Sequence, residues 1–326
     1  MTEHAHEHRH GLLATLRHAV VPHSHDSVDR LDDALTSDRA GIRAVQVSLV
    51  VLVLTAVAQL LVVVVSGSVA LAADTIHNFS DALTSVPLWI AFAVGTRSAT
   101  RRFTYGFGRV EDLAGLFVVA MIALSAVVAL VEAIRRLVNP APLHHLGWVA
   151  LAGVIGFLGN EAVALYRIRV GRRIGSAALV ADGMHARTDG LTSLAVLLGA
   201  GGVWLGFPLA DPIVGLLISA AILGVLWTAG REVFGRLLDG VDPQIIADAE
   251  YALVEAGLGQ PHSLKMRWVG HRLRADVELD VDAKLSLAQA HTIAHDAQAV
   301  LARRVPHLEY ALVHAYPAHA NTGTAV

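Results

Sequence analysis

The chain contains no cysteine, so it forms neither disulfides nor thiolate metal sites nor iron–sulfur clusters. Any metal site it has must use imidazole and carboxylate, which favours Zn²⁺ and neighbouring first-row ions over soft Cu(I). Charge is scarce: only 16% of 326 residues are Asp, Glu, Lys or Arg, and the net charge is −3. No basic stripe with interleaved aromatics occurs, so nothing marks a nucleic-acid partner. What is abundant is apolar: 54% of the residues are hydrophobic, and the mean hydropathy is +0.54. Runs at 44–65, 113–131, 148–164, 191–205 and 213–229 read as membrane helices, which excludes an ordinary soluble protein.

The pattern that stands out is a repeat. Residues 70–85 (ALAADTIHNFSDALTS) return as 178–193 (ALVADGMHARTDGLTS), a constant offset of 108 with 9 of 16 positions identical. Both copies set a His and an Asp four residues apart, His77 with Asp81 and His185 with Asp189. On a helix, positions i and i+4 share a face. Each copy therefore offers one imidazole and one carboxylate in one direction, and two copies supply the four ligands that close a tetrahedral Zn²⁺ site. A mid-span Asp costs roughly 2.5–3.5 kcal/mol on insertion scales, so acids here are rare unless paired or functional. Asp74 and Asp182 lie three residues before each His; they are assigned to a shell behind the ligands or to helix contacts.

Residues 1 to about 37 hold seven of the 18 histidines (His4, His6, His8, His10, His18, His23 and His25) and read as a solvated tail that gathers metal weakly. No early apolar run suggests a cleavable signal peptide. Six spans are expected near 43–65, 69–93, 110–134, 146–166, 176–203 and 211–229. One side of them carries fifteen arginines: Arg9, Arg17, Arg30, Arg39, Arg43, Arg97, Arg101, Arg102, Arg109, Arg167, Arg169, Arg172, Arg173, Arg231 and Arg236. The other carries only Arg135 and Arg136, which puts both termini in the cytoplasm.

Spans two and five run antiparallel, so the repeat is an inverted one, as in many secondary transporters. His77 and Asp81 lie eight and twelve residues into their span, His185 and Asp189 nine and thirteen. At 1.5 Å per residue both pairs fall near mid-membrane. Gly106 and Gly108 read as turn residues before span three, and Asp211 before Pro212 reads as a helix cap.

Beyond Ala229 the composition turns soluble. Asp242-Pro243 opens a helix to about 258; 263–269 and 274–281 read as a strand pair around Gly270. Ser286 caps a helix to about 305, and 309–314 is a last strand. The order α-β-β-α-β suggests a small α+β domain of ferredoxin-like type. The chain thus divides into a tail (1–40), a six-helix membrane domain (41–232), this cytoplasmic domain (233–318) and a short end (319–326).

Over residues 40–318 the sequence resembles the cation diffusion facilitator family. The resemblance is carried by the two His-x-x-x-Asp motifs, the Tyr105-Gly106-Phe107-Gly108-Arg109 loop, Asp211-Pro212, Gln289-Ala290-His291 and His314-x-x-Pro317. It implies a homodimeric Zn²⁺/H⁺ antiporter of the cell membrane, with a metallochaperone-like cytoplasmic domain that binds metal and steadies the dimer. It implies ligands in that domain at His262, Glu278, His291 and His314, although Tyr316 stands where relatives carry an acid. It also implies an ion pair between Arg109 and Asp239 that locks the bundle at the membrane boundary. Thr100, Phe103 and Phe107 occupy the positions of a loop metal site found in some members, so that site is expected to be absent.

Two His and two Asp around a dication make a nearly neutral site that low dielectric tolerates. Emptied of metal, the site leaves two buried anions unless protons enter. Imidazole titrates near neutral pH and binds metal only when deprotonated, so ion loading and protonation exclude each other. Alternating access then converts an inward proton gradient into metal efflux. Other divalent ions (Co²⁺, Cd²⁺, Ni²⁺, Fe²⁺, Mn²⁺) fit the same donors. An intramembrane zinc enzyme needs an open coordination position, and no His-Glu-x-x-His motif occurs. A passive channel or a metal sensor is the remaining class.

Overall fold

The structure is a computed structural model that describes residues 25–66 (side chains from 36), 75, 79, 83–138, 146–207 and 209–318. The histidines at positions 4 to 23, Asp74, His77 and Asp81 lie outside the described residues.

Among the described residues six helices belong to the membrane domain: α1 (His25–Ser66), α2 (Ser85–Gly95), α3 (Arg109–Val138), α4 (Leu146–Ile174), α5 (Ala177–Trp204) and α6 (Ala210–Leu237). Among the described residues α1, α3, α4 and α6 are long and apolar enough to cross a membrane. Helix α5 is as long, with 28 residues, but Asp182, Arg187 and Asp189 interrupt its apolar run. Helix α2 covers the last part of the expected second span. Its helices do not follow the expected boundaries. Helix α1 starts at His25, inside the segment expected to be a solvated tail. Residues 25–40 contain neither glycine nor proline, so nothing there stops a helix from propagating back from the apolar run. Helix α4 runs to Ile174, about two turns past the expected end, because Arg167 and Ile168 are buried rather than interfacial.

The outward stripe of α1 is apolar, with Val50, Leu54, Val57, Leu61 and Val64 each about half exposed or more. The i, i+4, i+3 spacing makes this a continuous face that a hydrocarbon environment would cover. Its opposite face joins Ala44 and Val45 to Leu88 and Phe92 of α2 and Leu179 of α5. A second cluster packs α3, α5 and α6 through Val118, Ile122, Ala181, Ile222 and Val233. Helix α5 is therefore central. It touches α4 along most of its length, and the approach is close: a Cβ on Gly183 would stand 2.8–3.0 Å from Ile168 and Arg167. Small residues at such contacts are how apolar helices associate in lipid.

The small domain consists of α7 (Pro243–Glu255), β1 (Pro261–Val269), β2 (Arg272–Asp282), α8 (Leu287–Arg304) and β3 (Leu308–Ala318). Asp242 caps α7 by accepting from the Gln244 amide. Ser286 and Gln289 form a capping box at the start of α8. The sheet order is β1-β2-β3, β1/β2 antiparallel and β2/β3 parallel. A ferredoxin-like sheet is four-stranded and antiparallel; here the domain opens on a helix instead of a strand, so β2 and β3 pair directly and in parallel. One sheet face packs on α7 and α8 through Leu253, Ala297, Leu301, Leu273 and Leu279. The other is polar, because Asp276, Glu278, Asp280 and His314 alternate with the core residues.

The two domains meet at the β1–β2 turn. Gly270 has φ +62° and sits so close to α3 that a Cβ would stand 2.8 Å from Glu111 Oε2. Its N–H donates to Asp112 Oδ2 at 3.2 Å. His271 follows, with Nδ1 2.7 Å from Glu111 Oε2 and Nε2 3.4 Å from Asp38 Oδ1 of α1. Arg272 bridges Asp38 and Glu309 at 2.6 Å each. Arg236, near the end of α6, stacks its guanidinium 4.3 Å over the Trp268 ring. The small domain is thus plugged into the near end of the helix bundle.

Candidate metal-transport site

Ser176 caps α5 by accepting the Leu179 amide, which sets the helix phase. With that phase, Asp182, His185, Thr188 and Asp189 are all buried against neighbouring helices, His185 at 2% exposure and Asp189 at 9%. His185 Nδ1 lies 3.8 Å from Asp189 Oδ1. Two donors on one Zn²⁺ with bonds of about 2.0 Å stand roughly 3.3 Å apart in a tetrahedron. The pair therefore needs to close by only a fraction of an ångström to share an ion. Thr188 donates its hydroxyl to the His185 carbonyl at 2.7 Å and holds this turn of the helix.

The other charges on α5 are matched by α4. Arg167 Nη1 meets Asp182 Oδ2 at 2.8 Å with both side chains almost fully buried. Arg187 makes a forked pair with Glu161, 2.7 and 3.2 Å. The charge of Arg167 also acts on Asp189, the α5 acid that faces His185. A cavity of about 200 Å³ between α3, α5 and α6 opens from Asp189.

The basic run that begins at Arg167 predicts that residue at the cytoplasmic boundary, whereas it is buried in an ion pair. Asp182 behind the His is accordingly a helix-to-helix contact. Asp211 is not the cap of its helix either. Leu209 holds that position, and the Asp211 carboxylate pairs with Arg136 at 3.1 Å. At the near end, Arg109 Nη2 lies 2.8 Å from Asp239 Oδ1, both side chains about half exposed.

In the small domain the four expected ligands are spread out. Glu278 and His314 are cross-strand neighbours on the open sheet face. His262 lies 3.7 Å from Asp280 and stacks on Tyr316. His291 is on α8, edge to face with His295 at 4.5 Å. Among the described residues no three His, Asp or Glu stand close enough to hold one ion. The junction residues His271, Asp38 and Glu111 were also missed. Only the turn glycine before His271 hinted at a special position, and nothing in the sequence ties it to Asp38, 233 residues away.

With this geometry in view, the relatives are informative. A model of the cation efflux transmembrane domain matches residues 45–238, and one of the cation efflux protein cytoplasmic domain matches 249–318. The chain belongs to the cation efflux, or cation diffusion facilitator, family. A Mycobacterium tuberculosis protein named as a probable cation efflux system protein is 67% identical over 316 residues, 97% of this chain and 95% of its own length. The cation-efflux pump FieF of Klebsiella pneumoniae is 28% identical over 74% of this chain and 81% of its own length. The magnetosome protein MamB of Magnetospirillum gryphiswaldense is 26% identical over 74% and 82%. This cation diffusion facilitator is a membrane-spanning cation efflux transporter with a small cytoplasmic domain.

Proposed function

We propose that the protein expels Zn²⁺ from the cytoplasm in exchange for H⁺, carrying the ion between His185 and Asp189 of α5 and His77 and Asp81 of the matching span. The observation that carries this reading is the His185–Asp189 pair: one helical turn, buried and at near-ligand spacing. A site of two imidazoles and two carboxylates holds a dication with little net charge, and protons replace the dication when it leaves. The two imidazole donors favour Zn²⁺ over the harder Mn²⁺. The near end faces the cytoplasm in this reading, with both termini there, in the plasma membrane. Two copies associate through their small domains, whose open sheet face carries His262, Glu278 and His314 for a regulatory ion, with His291 on α8. The Arg109–Asp239 pair ties the bundle to the linker before α7.

The test is a panel of divalent ions offered to the purified protein in liposomes with an imposed pH gradient. Zn²⁺ is expected to accumulate only while the gradient lasts, ahead of Co²⁺, Cd²⁺, Ni²⁺, Fe²⁺ and Mn²⁺. Equal accumulation without a gradient contradicts exchange for protons.

A further inference from the structure

The sequence leaves only Arg135 and Arg136 on the side of the membrane away from the small domain, and Arg136 is paired with Glu132 and Asp211. The cavity that opens from Asp189 is also lined by Ser125, Thr192, Glu132, Arg136 and Asp211. From Ser125 to Arg136 the wall of α3 spans about 16 Å at 1.5 Å per residue. Asp189 and Arg136 therefore line one cavity, mostly apolar, with these polar groups set into its wall. At the far end Arg136 donates from Nε to Glu132 at 3.0 Å and from Nη1 to both Asp211 oxygens at 3.1 and 3.3 Å. The arrangement is built: Asp211 fits because Gly199 of α5 has no side chain, and a Cβ there would stand 2.5 Å from Asp211 Oδ1.

We propose that Arg136 is a latch on the outer end of the ion path, held across its mouth by Glu132 and Asp211 and occupying their oxygens. The inference rests on Asp189 being a ligand of the transported ion. Bonded to Arg136, the Glu132 and Asp211 oxygens are occupied and partly neutralised, so a dication approaching from outside is not offered that carboxylate pair, whereas protons pass along hydrogen-bonded groups. When an ion arrives from Asp189, the two carboxylates exchange Arg136 for it, and the side chain, one-third exposed, has room to swing outward. The latch then closes behind the ion. This favours one-way release over leakage back down the metal gradient.

The chain has no cysteine, so one introduced thiol is a clean reporter. Thr192→Cys places it on the cavity wall. The full-length protein in liposomes is labelled from the outer side with two membrane-impermeant methanethiosulfonates of similar size, one cationic and one anionic. Adding Arg136→Gln is expected to raise the cationic-to-anionic labelling ratio about ten-fold, the low end of what charge in a cleft does to encounter rates. Arg136→Lys, which keeps the charge, is expected to leave the ratio near that of Thr192→Cys alone. A ratio unchanged by Arg136→Gln, with anionic labelling still measurable, overturns the latch. The underlying reading has its own readout in the same preparation: Zn²⁺ should slow labelling of Thr192→Cys, and Asp189→Asn should remove that protection. Loss of protection with an unchanged ratio rejects the latch and keeps the ligand. The reverse result, a changed ratio without zinc protection, rejects Asp189 as ligand, and the latch as a device of the ion path falls with it.

Discussion

His185 and His271 are both buried histidines beside carboxylates, yet they are held differently. His271 stands at a domain junction with Glu111 at 2.7 Å on one ring nitrogen and Asp38 at 3.4 Å on the other. Those acids come from two helices and the ring from a turn between strands, so the contact fastens three elements. His185 and its acid come from one helix, 3.8 Å apart, and α4 matches the other charges of that helix. At hydrogen-bond distance a His–carboxylate group fastens elements together; the wider His185–Asp189 pair, beside a cavity, is the one proposed to carry an ion. Burial alone does not separate the two.

The largest effect that sharpens this contrast is at Asp189. Asp189→Ala should lower pH-gradient-driven Zn²⁺ uptake by more than about 100-fold, beyond the 10–100-fold typical of groups behind the ligands. The circular dichroism spectrum and melting curve of the purified variant should stay close to the parent's. Wild-type uptake by this variant would remove Asp189 from the ligand set.

Next comes the ion pair that matches the other acid of α5. Arg167→Ala strands Asp182 without its counter-charge and should destabilise the fold by about 3–5 kcal/mol. Arg167→Met combined with Asp182→Leu removes both charges and should recover most of that loss in a thermal or denaturant melt. If the double variant is as unstable as the single, the pair is not the reason for the loss.

His271 gives a smaller and pH-dependent effect. Burial disfavours its imidazolium, but the charge and hydrogen bond of Glu111 and the charge of Asp38 outweigh both burial and repulsion from Arg272, so its pKa is raised. His307 nearby is pushed the other way, by burial first and then by the charges of His271 and Arg236. A raised folded pKa makes the stabilisation complete below about 6.5 and lost as pH rises through the folded value. The melting temperature of the parent should therefore fall over that rise, and His271→Gln should flatten the fall. An unchanged slope would mean that His271 is neutral throughout.

Weakest of all is the Arg109–Asp239 pair. Both side chains are about half exposed, so breaking it should cost no more than about 1 kcal/mol. Its role as a lock is decided by function: the swap Arg109→Asp with Asp239→Arg should restore whatever transport either single change removes.

The motif on α5 was readable because duplication and an i, i+4 spacing are local properties. So were the caps: Asp242 and Ser286 start α7 and α8 where the sequence marks them. Most of the failures are non-local. Arg167 near a basic run looks like a boundary residue until the phase of α4 aims it at Asp182. Asp211 before a proline looks like a cap until the groove at Gly199 shows where its carboxylate goes. The start of α1 was hidden because histidine and aspartate content resembles a solvated tail, whereas helix propagation depends on the absence of breakers. Nothing short of the fold brings Asp38, Glu111 and His271 together.

The comparison of the two histidines is tested most directly by measuring pH-gradient-driven Zn²⁺ uptake for His185→Ala and His271→Ala side by side at matched protein-to-lipid ratio. The account predicts that His185→Ala loses uptake while keeping the parent's melting temperature, and that His271→Ala melts earlier but still transports. Robust uptake by His185→Ala, or complete loss in His271→Ala with an unaltered melt, would contradict it.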